Sequence, residues 1–134
     1  MVFSVQYFTQ NKGNCTVLLG VPTGWRTLTR DATDNPKLHE IIKMADIVHP
    51  WTVGRYNTLN GADSHRNRLR DDKAWCDANN LLYMPVVFPG FSWNNLKKSQ
   101  GIESDLNSIP RLKGNFLWRQ FYNAISENAA TIYV

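Results

Sequence analysis

Cysteine is scarce. The 134 residues hold two, Cys15 and Cys76, far apart and without CxxC spacing. That argues against a disulfide framework, and buried, inert thiols are expected. Histidine is hardly commoner. His39, His49 and His65 show no ligand spacing, so no metal and no other cofactor is expected. His39 falls in a helical pattern and His49 in mid-strand, where core or surface roles are the expectation. No apolar run approaches the ~20 residues that cross a bilayer, so membrane insertion is not expected. The opening "MVFSVQYFTQ" lacks the basic and apolar regions of a signal peptide. The stretch "TGWRTLTRD" has one glycine, too few for a phosphate cradle opening a helix. "GFSWN" at 90–94 is half of a G-x-S-x-G nucleophile elbow. Asn94 stands where the second glycine belongs, and no matching His–acid pair is visible. Asn14-Cys15-Thr16 fits a glycosylation sequon but abuts an apolar run that reads as a buried strand.

Tryptophan, by contrast, is plentiful: five, in a chain that is 43% hydrophobic. That hydrophobic share belongs to a folded chain, and the length suits one domain over residues 1–134. Large aromatics lose little entropy on ordering and often line binding surfaces. The net charge is +4 and the pI about 9.2. A basic balance fits nucleic acid when the cations cluster. The one cluster, "HRNRLR" from His65 to Arg70, runs straight into Asp71 and Asp72. A solvated helix face is therefore expected, and nucleic acid is not a predicted partner.

The chain alternates between short apolar runs and helical periodicity. "CTVLLGVP" (15–22), "DIVHPWTV" (46–53) and "LLYMPVVFPGF" (81–91) read as buried strands, and "TIYV" (131–134) begins a fourth. Gly13 and Asn14 look like the stop of a helix tail, "FSVQYFTQN". In "DNPKLHEIIKMA", Asp34 or Asn35 can cap and Pro36 suits the first turn. Leu38, Ile41, Ile42 and Ala45 then make an apolar stripe. Asp63 or Ser64 is expected to open a polar second helix that stops at Asn79 or Asn80. "NFLWRQFYNAISENA" makes a third, with Leu117, Phe121, Ala124 and Ile125 as its inner face. The long segment between Ser92 and Gly114 reads as a loop. The order (α)-β-α-β-α-β-α-β implies right-handed crossovers and a parallel α/β sheet. A full (β/α)8 barrel of the TIM type needs about 250 residues. Two architectures fit: an open doubly wound sheet, or a partial barrel of about four parallel strands, truncated at both ends. In the partial barrel, helices should cover one face of the sheet only.

The strand ends raise a question. Why should "VPTGWR" leave a buried strand and at once set Trp25 beside Arg26? A core plug with an Arg–carboxylate pair is one answer, and a pocket lining is the other. The second strand is followed by Trp51, Arg55 and Tyr56, and the third by Phe91, Ser92, Trp93 and Asn94. The opposite strand ends carry no aromatic. Parallel α/β folds bind ligands at the carboxyl ends of their strands. Aromatic platforms with Arg, Asn, Ser and Thr suit a sugar, whose C–H faces stack on indole and whose hydroxyls need directional partners. Carbohydrate is thus the expected ligand of Trp25, Arg26, Trp51, Arg55, Tyr56, Phe91, Ser92, Trp93 and Asn94.

Carboxylates are missing where hydrolysis of a glycoside would need a pair of them. Asp31, Asp63, Glu103 and Asp105 lie farther out, and Asp46 lies at the wrong end of a strand. "LLGVPTGWRTL", "ADIVHPWTVGRYN", "PVVFPGFSWNN" and "IPRLKGNFLWRQFYNAI…TIYV" together resemble the glycoside hydrolase group around families 71 and 99, often labelled xylosidase/arabinosidase-like. The resemblance runs from about Cys15 to Val134. It implies a (β/α)8 barrel acting on glycosidic bonds, in proteins that are often secreted or in the cell envelope. The family's acidic pair falls beyond "IYV", so no residue here receives a catalytic role and the chain alone is expected to be inactive. Two alternatives stay open: a non-catalytic carbohydrate-binding barrel, and an open α/β domain binding a phosphorylated ligand or nucleic acid through Arg66, Arg68 and Arg70. Open sheet edges also make self-association an expectation.

Overall fold

The computed structural model describes residues 15–103 and 108–134. The expected helix tail with its stop at Gly13 and Asn14 lies outside them, as does Asp105. The first three apolar runs form β1 (Leu18–Val21), β2 (Ile47–Pro50) and β3 (Leu82–Tyr83). They make one parallel sheet in the order β1-β2-β3. Leu19 pairs with Val48, Val21 with Pro50, and Val48 with Tyr83. Residues paired across a parallel sheet share a face. Leu19, Val21, Val48, Pro50 and Tyr83 therefore form one apolar face, and Leu18, Gly20, Ile47, His49 and Leu82 the other.

The helices are α1 (Lys37–Ile42), α2 (Leu59–Ala78), α3 (Asn94–Ser99) and α4 (Asn115–Ser126), with a 3-10 turn at Leu112–Gly114. Ile42 of α1 and Leu69 and Cys76 of α2 meet Val21, Trp25, Val48, Leu81 and Tyr83 in one buried cluster. Both helices thus cover the same face, as right-handed crossovers between sequential strands dictate. The other face is open, with Leu18 44% and Leu82 52% exposed. A second cluster joins Phe88, Ile109 and Phe116, with Val53, Tyr56, Leu59 and Phe91 packed against it.

Four local expectations change. The fourth strand is a single parallel bridge between Val86 and Tyr133. Tyr133 N–H donates to the Pro85 carbonyl, and Val87 N–H to the Tyr133 carbonyl. Pro85 would have to donate toward that same neighbour and has no N–H, so the ladder does not extend. Helix α2 starts at Thr58, whose hydroxyl accepts from Gly61 N–H at 3.0 Å, and not at Asp63 or Ser64. The earlier start lets Leu59 and Ala62 pack inward. Its end is as expected, with Asn79 at the cap and Asn80 at φ 56°. The supposed loop after Ser92 contains α3.

The fourth change is the rotation of α4. Its buried residues are Phe116, Gln120, Asn123 and Ala124, while Ile125 is 63% exposed. Two amides occupy the inner face because Gln120 is bonded at both ends of its amide and Asn123 uses its Nδ2 donors twice. Gln120 Nε2 donates to the carbonyls of Phe88 and Phe116, both at 2.8 Å. Its Oε1 accepts from Phe88 N–H at 3.1 Å and Tyr56 O–H at 2.9 Å. Asn123 Nδ2 donates to the Ala62 carbonyl and to Asp63 Oδ1, both at 3.1 Å. Apolar periodicity cannot register polar groups buried by such pairing.

Candidate functional site

In "VPTGWR" the tryptophan turns inward. Trp25 has no exposed surface. Its indole meets Trp75 edge-on at 4.9 Å and His39 at 6.4 Å. Arg26 reaches the helix side, where Nε donates to Asp72 Oδ1 at 2.7 Å and Nη2 to Asp71 at 3.4 Å. Asp72 is 1% exposed. Desolvation pushes its carboxyl up to about 6, with the Arg26 guanidinium pulling the other way. The loop between them is clasped by Asp31, which accepts from Gly24 N–H at 2.9 Å and Thr23 N–H at 3.2 Å. Arg55 closes the clasp as the ion-pair partner of Asp31. Burial works to raise the Asp31 carboxyl, but those two N–H groups and Arg55 outweigh it and hold it below its ordinary value. Gly24 is obligatory here, because a Cβ would stand 1.8 Å from the Thr29 carbonyl oxygen.

Two tryptophans do face outward. Trp51, directly after β2, is 55% exposed. Its backbone is pinned by Thr23 Oγ1 donating to its carbonyl at 2.8 Å and by its own N–H donating to Val21 at 2.9 Å. Trp93 is 42% exposed and stands edge-on to Phe91 at 4.7 Å. Phe91 and Ile109 exchange backbone hydrogen bonds at 3.0 and 2.9 Å, which hold this corner. Gly90, Phe91, Ser92 and Arg111 line a small pocket of ≈ 100 Å³. Ser92 Oγ accepts from Asn94 N–H at 3.3 Å, at the start of α3. Tyr56 instead packs into the second cluster, 5.3 Å from Phe88 and 5.9 Å from Phe116. Burial raises its phenol pKa. So Phe91, Ser92, Trp93 and Asn94 come together at one corner and Trp51 stands at the end of the neighbouring strand. Arg55 joins the Asp31 clasp, while Trp25, Arg26 and Tyr56 are held within the packing.

The basic run is internally engaged. Arg66 pairs with Glu127, Arg68 Nη1 donates to the Thr23 carbonyl at 3.0 Å, and Arg70 Nη2 to Asn67 at 3.2 Å. His65 stacks on Tyr56 at 4.9 Å. Desolvation, helped by the Arg68 charge, lowers its pKa to about 4. Its folded value lies below the unfolded value of about 6.5, so the unfolded chain binds the proton first. The stability this group contributes is present above about pH 6.5 and is lost as pH falls toward 4. Asp72, raised to about 6, acts in the opposite sense over part of that window. Comparison with His65→Gln isolates the histidine. Between pH 7 and 4 the wild type should lose roughly 2–3 kcal/mol relative to the variant. Parallel stability curves would show that His65 titrates normally.

Sequence reasoning missed three buried polar groups on the helices: Asp72, Gln120 and Asn123. For Asp72 a signal existed, since Leu69, Asp72 and Cys76 recur at helical spacing along one stripe of α2. His49 lies on the open face of the sheet, with Nδ1 3.2 Å from the Met84 carbonyl and its ring edge-on to Tyr133 at 4.6 Å. Gln120 gave no periodic signal.

No family model matches the chain, and no curated protein matches it. Among solved structures it is similar to the GH99 endo-alpha-mannosidase from Bacteroides thetaiotaomicron, with TM-score 0.54 at 17% identity. The fold is GH99-like. That match covers 98% of this chain and 47% of the other. The same enzyme in complex with BIS-TRIS-propane gives TM-score 0.53 at 17% identity, covering 98% and 50%. The chain spans about half the length of the structures it matches. Three parallel strands in sequential order, with α1 and α2 on one face, fit part of a barrel of that kind. No described helix is long and apolar enough to cross a membrane.

Proposed function

We propose that this chain forms part of a glycoside hydrolase of the group around families 99 and 71, and that its strand ends bind carbohydrate. One observation carries the reading. Trp51, directly after β2, and Trp93, at the start of α3 in the segment that follows β3, present exposed indoles within a GH99-like fold. Indole offers the apolar platform a pyranose face needs. Ser92, Asn94 and Arg111 stand near Trp93 to serve hydroxyls, and the Arg55 side chain is 40% exposed on its outer side. Asp31, a carboxylate at these ends, is engaged by two backbone N–H groups and Arg55. It is therefore not a free acid or base, which favours sugar binding without catalysis by the chain alone. The reading includes self-association through the open sheet face, where Leu18, Leu82 and Tyr133 are exposed.

The likeness to an endo-alpha-mannosidase selects an α-mannosyl oligosaccharide as the first ligand to test. Calorimetric titration should detect binding. Trp51→Ala and Trp93→Ala should each weaken it by about fivefold, a stacking contribution of about 1 kcal/mol. Neither should lower the melting temperature by much, because both indoles are only about half buried. Full affinity in both variants would remove these residues from any sugar site.

A further inference from the structure

Residues 26–30 form a short flap beyond the carboxyl end of β1. Both of its ends are fixed, one by Trp25 in the core and the other by Asp31, which accepts from Thr23 and Gly24. Thr29 N–H donates to the Gly24 carbonyl at 3.2 Å and folds the flap back on itself. The backbone is strained there. Leu28 at φ 54° and Arg30 at φ 60° lie in the left-handed region, which costs free energy for a residue with a Cβ. The flap's tie to α2 is Arg26, whose Nε donates to Asp72 Oδ1 at 2.7 Å. Asp72 is 1% exposed, on the inner stripe of α2 between Leu69 and Cys76. The groups that face it are Arg26 from the flap, Arg68, Asp71 and Cys76 from α2, and Tyr83 from β3. Arg68 is already engaged, with Nη1 donating to the Thr23 carbonyl at 3.0 Å. A carboxylate so deeply buried depends on its partner. One ion pair therefore offsets both the strain of the flap and the desolvation of Asp72.

We propose that residues 26–30 are an acid-released latch: protonation of Asp72 breaks its ion pair with Arg26, and the strained flap lifts from α2 while the sheet stays folded. Burial outweighs the Arg26 charge and holds the carboxyl at about 6 with the flap closed. Asp72 keeps its place on the inner stripe when Arg26 leaves. Burial then acts without that guanidinium against it, so the open flap binds the proton more tightly. Falling pH thus favours opening. Against the unfolded chain the sign is opposite. A carboxyl raised in the fold contributes stability that is present below its ordinary value and lost as pH rises through about 6. Through this group, acid opens the flap without unfolding the protein. Asp31 does not share the response, since its carboxyl is held below its ordinary value. The flap adjoins the Asp31–Arg55 pair and Thr23, whose hydroxyl holds the Trp51 carbonyl. Opening therefore changes the outline of this rim at mildly acid pH, whether or not the rim binds carbohydrate.

Amide hydrogen exchange of the 134-residue chain, corrected for the intrinsic pH dependence of exchange, reads the latch at Thr29. Protection of its N–H should fall about tenfold from about pH 7.5 to about pH 5.5. Met84 N–H, bonded to the Val48 carbonyl at 2.9 Å within the sheet, should keep its protection. Asp72→Asn imitates the neutral carboxyl and should show the low Thr29 protection at both pH values. Arg26→Gln leaves Asp72 in place and should do the same, so the test stands even if Asp72→Asn fails to fold. Thr29 protection that is absent at the higher pH, or that holds or rises as pH falls, overturns the proposal. So does a pH response that persists in Asp72→Asn or Arg26→Gln. An equal loss at Met84 overturns it as well, because the whole sheet would then be opening.

Discussion

Replacing Gln120 with alanine should destabilise the protein by roughly 3–5 kcal/mol, more than any exposed strand-end tryptophan can cost. The reason is the position of Phe88. It follows β3 in sequence but has no ladder partner, and it is 4% exposed. The Gln120 amide takes the place of a neighbouring strand, accepting from Phe88 N–H and donating to the Phe88 carbonyl. Truncation leaves both backbone groups and the Tyr56 hydroxyl without this partner in a dry setting. Each unmade hydrogen bond of a buried group costs about 1–3 kcal/mol, and the sum is less than additive. Gln120→Glu sharpens the test. The acceptor side survives, but an ionised carboxylate faces two carbonyls, so the variant should be weakest at neutral pH and partly recover on acidification. Urea unfolding of the three proteins at two pH values measures this. A loss below about 1 kcal/mol for Gln120→Ala would mean that water replaces the amide freely. The effect should also reach the site, because Phe88 leads directly into the corner that carries Phe91 and Trp93.

The same residue marks the boundary of what the sequence discloses. Short apolar runs disclosed β1, β2 and the beginning of β3, because buried parallel strands have few other sequence forms. The stripe begun in α1 was legible for a similar reason: Ile42 in the helix and Ala45 just past its end are buried. The face of α4 was not legible. Gln120 and Asn123 are buried through bonds to Phe88 and Ala62, segments far away along the chain, and periodicity reports only apolar residues. The start of α2 slipped because several residues in "NTLNGADS" can cap, and packing of Leu59 and Ala62 chose among them. Strand-end composition was similarly legible, while orientation was not. Trp25, Trp51 and Trp93 follow strand runs in the same way, yet outside regular structure nothing in spacing says which way a side chain turns. Trp25 is turned inward by the Gly24 backbone, drawn against Thr29 and held by Asp31.

That inward turn leads to the other large effect. Trp25→Ala should cost roughly 3–5 kcal/mol, as deletion of a buried aromatic usually does when the surrounding core cannot collapse. The buried cluster it belongs to draws on β1, α1, β2, α2, β3 and the residue before β3, through Val21, Ile42, Val48, Leu69, Cys76, Tyr83 and Leu81. A cavity there loosens every element that holds the strand ends in register. Trp25→Phe should cost much less, about 1–2 kcal/mol. The indole Nε1 has no hydrogen-bond partner among the described residues, so phenylalanine removes an unsatisfied buried donor along with part of the volume. The pair of variants separates a core role from a ligand-facing one when set beside Trp51→Ala. For Trp25→Ala the melting temperature should fall sharply. For Trp51→Ala it should hold while oligosaccharide affinity declines. Should Trp25→Ala keep its melting temperature and lose affinity instead, the indole reaches the ligand, and "VPTGWR" lines a pocket after all.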